Sequence, residues 1–426
     1  MRFLFMMLKK LFITYVVLLV SFTLLMILVH MIPTSVLREN VYRSAEQIEK
    51  EGIFRKISGF YLFQIDNMTD CMMMNMAVTA DDKHPIHSAM NNYYSYGDLN
   101  EGYMAMAINT ALTAKEDPQV MTEHIHYGRY WQGSQVFLRP LLLITDYHGI
   151  RIINYILLSL LLIWLLFLTI HRFGLAVSIL FLLSLLLVNI PIVPLSIQFS
   201  TCFYLMFLST IFILTHSNIK SPFIFFFIIG ALTSYFDFLT TPQITLGIPL
   251  IFLFLQKKKY HNPCWKVFIL SLAWLLGYAL LWASKWMVAY MLTGDNIMDS
   301  VIGSIELRTS DFVVFHGNTI SISSLFFAVC SKIQWWIWLL IFVFSLLTIF
   351  VYIKIQTGIL TIRQYKWLLL VAMIVPVWFM LLRNHTIQHI FFTWRALLVC
   401  IYSLLLFVYY TTRKYGKNSS FNSVLQ

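Results

Sequence analysis

Apolar, nearly uncharged runs of about 20 residues recur along most of the chain, the length an α-helix needs to cross a hydrocarbon core. The first covers residues 11–32. A long polar stretch, 33–149, separates it from nine further runs at 150–170, 173–191, 199–216, 222–239, 242–256, 267–292, 334–353, 367–382 and 396–411. The first run is too long for a removed signal peptide and lacks a small-residue cleavage site. The pattern predicts an all-α polytopic membrane protein with about ten transmembrane helices and a large first extracytoplasmic loop. In that loop, Ser44 to Gly52 mixes acidic and basic residues in a helix-prone segment, and a second helical pattern runs over 99–114. Gly and Pro are sparse there, which favours a mostly helical loop over a β domain.

The chain thus divides into a cytoplasmic lead with the first helix (1–32), the outer loop (33–149), a bundle of about nine helices (150–411) and a short cytoplasmic tail (412–426). Composition agrees: 59% of the 426 residues are hydrophobic and only 12% are charged, which excludes a soluble enzyme, a disordered tail and a collagen-like rod. The net charge of +11 reports topology. On the cytoplasmic side of this arrangement fall 15 Lys and Arg and no acid, while all 19 acids lie outside or near the outer face. Both termini are expected inside. The basic residues are dispersed over inner loops, so no nucleic-acid surface is indicated. The compact size and absence of a retention signal lead us to expect a bacterial plasma membrane.

Of five cysteines only Cys71 lies clearly in the outer loop, so no disulfide framework is implied; Cys202, Cys330 and Cys400 read as apolar packers. The methionine run from Cys71 to Met76 reads as pliable packing rather than a copper site. Asn67 and Asn384 are formal glycosylation acceptors, best explained by chance.

Several groups carry candidate chemistry. Asp66 and Asp70, at i,i+4 spacing, would share a helix face, where mutual repulsion raises one pKa and suits a general base with a supporting carboxylate; a solvated loop with a capping Asp is the competing reading. Arg129 and Arg139 flank aromatic residues just before the second span, as expected either of an interfacial belt or of a guanidinium fork for a lipid phosphate. Asp237 and Lys285 lie within or at the ends of spans, where ionisable groups are costly, so they either pair with each other or bind substrate. The loop from Thr293 through Arg308 and His316 is polar and unspecific. The sharpest signal is the late outer segment Arg383 to Arg395, in which His385 and His389 are one helical turn apart and Arg395 follows. Hydrogen-bonding or cationic donors to a phosphate fit these residues. No cofactor is required; a divalent cation on the two imidazoles, with Asp66 or Asp70, is the minor alternative.

A short cytoplasmic lead, one span, a large first outer loop bearing Asp66 and Asp70, about nine further spans, and a late outer segment with His385, His389 and Arg395 resemble the GT-C superfamily of integral-membrane glycosyltransferases. Here the acids lie about 34 residues beyond the first span and are spaced Asp-x-x-x-Asp. The resemblance implies inverting transfer of a sugar from a polyprenyl-phosphate donor to an extracytoplasmic glycan, lipid or protein. One carboxylate, Asp66 or Asp70, would take the acceptor's proton. Arg129, Arg139, Asp237, Lys285, His385, His389 and Arg395 would hold substrate or the departing phosphate. A polymerase or ligase of lipid-linked glycans, and a transporter or flippase, remain open beside it.

Overall fold

The computed structural model describes residues 2–95, 124–216, 218–256, 262–310, 312–315, 318–321, 323 and 359–412. The fold is mostly helical. In the first part of the chain α1 is Arg2–His30, α2 Arg38–Glu51, α3 Asn67–Thr79, α4 Pro85–Asn91 and α5 Gln135–Leu142. The bundle follows with α6 (Tyr147–Phe173), α7 (Leu175–Leu187), α8 (Ile197–Thr215), α9 (Pro222–Phe236), α10 (Gln243–Gln256) and α11 (Pro263–Thr293). After α12 (Met298–Thr309) come α13 (Ile359–Ala372), α14 (Ile374–Leu381), α15 (Arg383–Gln388), α16 (Ile390–Thr393) and α17 (Leu398–Thr412). Two short antiparallel pairs complete the described elements. Tyr94–Ser95 pairs with His124–Ile125, and Phe312–Phe315 with Asn318–Ser321.

Six described segments are long and apolar enough to cross a membrane: 5–30, 147–173, 197–215, 263–293, 364–381 and 390–411. The protein is therefore a multi-pass membrane protein. The expected runs at 173–191, 222–239 and 242–256 are the apolar helices α7, α9 and α10, of 13, 15 and 14 residues, shorter than a full crossing. The run at 334–353, the helical pattern at 99–114, the C-terminal tail beyond residue 412 and Cys330 lie outside the described residues.

Local chemistry sets several boundaries. Asp146 caps α6 by accepting the Gly149 N–H, and Gly174, at φ 88°, ends it. Pro222 and Pro263 open α9 and α11 where a missing N–H costs nothing. The last apolar stretch is broken: α14 ends at Leu382 and α15 at His389, both non-helical, and a 3-10 turn over Trp394–Leu397 links α16 to α17.

Helices α9 and α11 pack backbone to backbone. A Cβ on Gly230 would lie 2.0 Å from the Trp274 carbonyl oxygen, and one on Gly277 2.0 Å from that of Phe227, so only glycine permits the approach. The main apolar core joins α6 to α11 with α13 and α17. A second core holds the segment between α1 and α6 on the bundle and includes Met72, Met73, Met74 and Met76, which serve as packing. The amides of Asn67 and Asn384 are buried, so neither acceptor presents itself for glycosylation in this fold.

Candidate functional site

Nine residues were singled out from the sequence, and their surroundings divide them. Asp66 does not lie on a shared helix face with Asp70. It is the N-cap of α3, one oxygen accepting the Thr69 N–H at 3.1 Å and the other the Thr69 hydroxyl at 2.8 Å. A residue in that position has non-helical backbone, as the capping reading expects, and its carbonyl oxygen accepts the Asp70 N–H at 3.5 Å. Burial raises its carboxyl to about 7, against the Thr69 donors, and Asp70 adds to the rise.

Asp70 is fully enclosed and accepts from Tyr147 Oη at 2.5 Å and from the backbone N–H groups of Ile197 and Gln198 at 2.8 and 3.0 Å. Those two amides open α8, so Asp70 caps a bundle helix from the segment between α1 and α6. Burial raises this carboxyl too, opposed by the same donors and by Arg151. Arg151 joins the network by a two-oxygen contact with Glu51 at 2.7 and 2.9 Å and a bond to Asn67 at 2.8 Å.

Arg139 and Lys285 are also buried, but on backbone. Arg139 donates to the carbonyls of Val29, Ala77 and Ile32, where α1 and α3 end. Burial lowers this guanidinium to about 10. It forms no fork with Arg129. Lys285 donates to the Met90 carbonyl. Asp237 and Lys285 do not form an ion pair with each other.

Arg395, His385, His389 and Asp237 lie around the start of α8 and the broken segment, and Arg129 lies apart from them. Arg395 is buried, its guanidinium 4.5 Å from the Phe199 ring; Nη1 donates to the Phe391 carbonyl, while Nε and Nη2 have no protein partner. His385 donates from Nε2 to the Leu239 carbonyl at 2.8 Å, and its ring lies 4.7 Å from that of His389. Burial, then His389 and Arg308, hold His385 well below the ordinary histidine range. Burial and Arg308 bring His389 to about 4. At neutral pH both imidazoles are uncharged hydrogen-bonding groups, and the positive charge belongs to the arginines.

Asp237 follows α9. One oxygen takes the Thr240 N–H at 3.0 Å and the Thr240 hydroxyl; the other, Oδ2, is buried without a partner. The Thr240 hydroxyl also contacts Cys202 of α8 at 3.7 Å.

Two arginines flank Tyr130. Arg129 stacks on Tyr127 at 4.0 Å and lies 5.5 Å from the Tyr130 ring, and Arg308 lies 5.6 Å from that ring. Arg308 is also within electrostatic reach of Tyr278, as is Asp237. Beside Tyr130, Arg308 Nε is buried without a partner, as are Gln198 Oε1, Thr241 Oγ1 and Gln243 Oε1 at the start of α8 and after α9. Polar atoms left unpaired in a folded interior are uncommon, and a site for a polar, anionic group is one place to find them. Arg308, Tyr130 and Gln198 carry no sequence signal of this role, since each sits among ordinary loop or span residues.

Among the described residues no three His, Cys, Asp or Glu side chains stand close enough to hold a metal ion. No family of known proteins, no curated protein and no solved structure matches this chain.

Proposed function

We propose that this chain is a membrane glycosyltransferase that moves a sugar from a polyprenyl-phosphate donor to an extracytoplasmic glycan, lipid or protein, with inversion. The observation that carries the reading is Arg395, a buried guanidinium with two nitrogens free of protein partners, against the aromatic wall of Phe199 and Phe392 on which the rings of His385 and His389 also lie. A buried charge without a counter-ion is costly unless a ligand completes it, and a phosphate is the anion a guanidinium fork fits. In the transfer, the bond from the anomeric carbon to the phosphate oxygen breaks and a bond to the acceptor oxygen forms. A carboxylate takes the acceptor's proton, and the arginines stabilise charge building on the departing phosphate. Of the two outer-loop carboxylates we assign the base to Asp66, which is held near neutrality, and a structural role to Asp70.

One observation favours a second reading. Both outer-loop acids have each oxygen engaged by a donor, which suits a polymerase or ligase of lipid-linked glycans that relies on Arg and His alone. The test is turnover. Wild type, Asp66→Asn, Asp70→Asn and Arg395→Gln are purified and given a panel of polyprenyl-phosphate sugars with membrane extract as acceptor. The transferase reading expects polyprenyl phosphate to be released by wild type, and lost in Asp66→Asn while donor binding persists. Normal turnover in Asp66→Asn with loss in Arg395→Gln sinks the carboxylate mechanism and favours the polymerase. Neither binding nor release by wild type, with glycan donors and acceptors shown to be competent, removes both.

A further inference from the structure

We propose a second lipid site, at the end of α11 that carries Trp286 and Tyr290, for a bilayer lipid with a phosphate headgroup: its chain lies in a groove between α11 and the start of α12, and its phosphate on Arg129. This rests on the membrane placement of α11 and not on the transferase reading.

The groove is a cavity of about 420 Å³ lined mostly by apolar residues, Ala283, Trp286, Met287 and Tyr290 of α11 with Ile297 and Met298, and by one amide, Asn296. Its walls continue the outward face of α11, where Met287, Tyr290 and Met291 are exposed by 51%, 60% and 73%. In a helix that crosses the bilayer such a face meets lipid chains, so the groove opens to lipid. The amphipathic indole and phenol rings at its mouth suit the headgroup level.

Arg129 is fastened at this mouth. Its carbonyl oxygen accepts Nε1–H of both Trp282 and Trp286, at 2.9 and 3.2 Å, and Trp286 is itself a groove wall. On the other side Nη1 reaches Ser300 Oγ at 3.4 Å, two residues beyond the groove residue Met298. The guanidinium lies on Tyr127, no carboxylate approaches it among the described residues, and its Nε has no partner. A positive fork fixed above an apolar groove is complementary to a phosphate carried on a hydrocarbon chain. Because α12 carries both Ser300 and Arg308, lipid bound here steadies the helix that presents Arg308 to the buried cluster.

The full chain in detergent micelles is labelled with phosphatidylglycerol bearing a diazirine in its acyl chain, and adducts are mapped by mass spectrometry. The expected result is labelling concentrated on residues 283–298, reduced at least ten-fold in Arg129→Gln and in Ala283→Trp, which fills the groove. Diacylglycerol with the same diazirine, lacking the phosphate, is expected to label this segment at least ten-fold less. Labelling spread evenly over the lipid-facing helices, or equal from both probes, overturns the proposal. Size-exclusion profiles and melting temperatures matching wild type identify variants that fold; a variant that does not is replaced by Arg129→Met or Ala283→Leu.

Discussion

Replacing Asp70 with alanine separates a structural carboxylate from a chemical one. The side chain is fully buried and accepts three donors, Tyr147 Oη and the two amides that open α8. A hydrogen bond to an ionised group contributes about 1.5–3 kcal/mol, and a lost helix cap costs about 1 kcal/mol. The three contacts share one carboxylate whose burial is itself unfavourable, so they do not add in full. We expect Asp70→Ala to cost roughly 3–5 kcal/mol, a large share of the ~5–15 kcal/mol that holds a typical domain together. Asp70→Asn keeps one acceptor oxygen but turns an NH₂ toward a donor, and should cost about 2–3 kcal/mol. Tyr147→Phe removes one donor and leaves α8 capped, for about 1 kcal/mol. The assay is thermal unfolding in a mild detergent, followed by tryptophan fluorescence and by loss of the monodisperse size-exclusion peak. The order Ala, Asn, Phe from least to most stable is the expected outcome. If Asp70→Ala melts with wild type and yet turnover is abolished, the structural assignment is refuted and Asp70 is the base.

Other consequences concern protons, charge and packing. The folded chain holds the Asp66 proton up to about pH 7, whereas an unfolded chain releases it near 4; this contribution to stability is complete below about pH 4 and declines as pH rises to about 7. Melting temperature against pH should show that decline in wild type and a flatter curve in Asp66→Asn, and parallel curves would contradict it. Turnover, if Asp66 is the base, should rise through about pH 7 and lose that rise in Asp66→Asn. Arg395→Gln and Arg308→Gln should each weaken donor binding about 10–100-fold in isothermal titration, whereas Arg139→Gln should lower the melting temperature and leave the affinity of the folded fraction unchanged. Gly277→Ala places a methyl against the Phe227 carbonyl and should cost about 1–3 kcal/mol in the same unfolding assay; a melting temperature equal to wild type would show that α9 and α11 separate freely.

The spans were legible because apolar length is a local property of the chain. α1, α6, α8 and α11 lie where continuous runs of about 20 apolar residues predict them. Shorter helices such as α7 and α9 were legible as apolar but not in extent, since the turns that follow them depend on Asn189 at φ 59° and on Asp237, whose carboxylate accepts the Thr240 N–H. The late segment was read as two ordinary spans separated by a polar turn. Its breaks at Leu382 and His389 follow from packing, which no periodicity records. Among candidate residues, type and spacing brought out Arg395, His385 and His389, because charged and aromatic polar groups stand out against an apolar background. For Asp66 and Asp70 the i,i+4 spacing does bring the two carboxylates within electrostatic reach, while the local geometry of Asp66 is that of the capping Asp of the competing reading. Arg139 looked like an anion ligand because its acceptors are backbone carbonyls, which every sequence contains and none displays. Arg308 passed as loop, as its partners Tyr130, Tyr278 and the two histidines are distant in the chain and meet it only in the fold.

The cap that Asp70 places on α8 also orders events during biosynthesis. Asp70 is made 127 residues before the first amide it accepts. At ~5–20 residues per second, roughly 6–25 s pass before that partner exists. Through that interval the carboxylate cannot be enclosed, and the methionine-rich α3 that carries it lacks the α8 wall of its core. Final closure of the segment between α1 and α6 therefore waits for α8 to be made. A ribosome stalled between the two should leave α3 open to protease, and a chain extended past α8 should protect it.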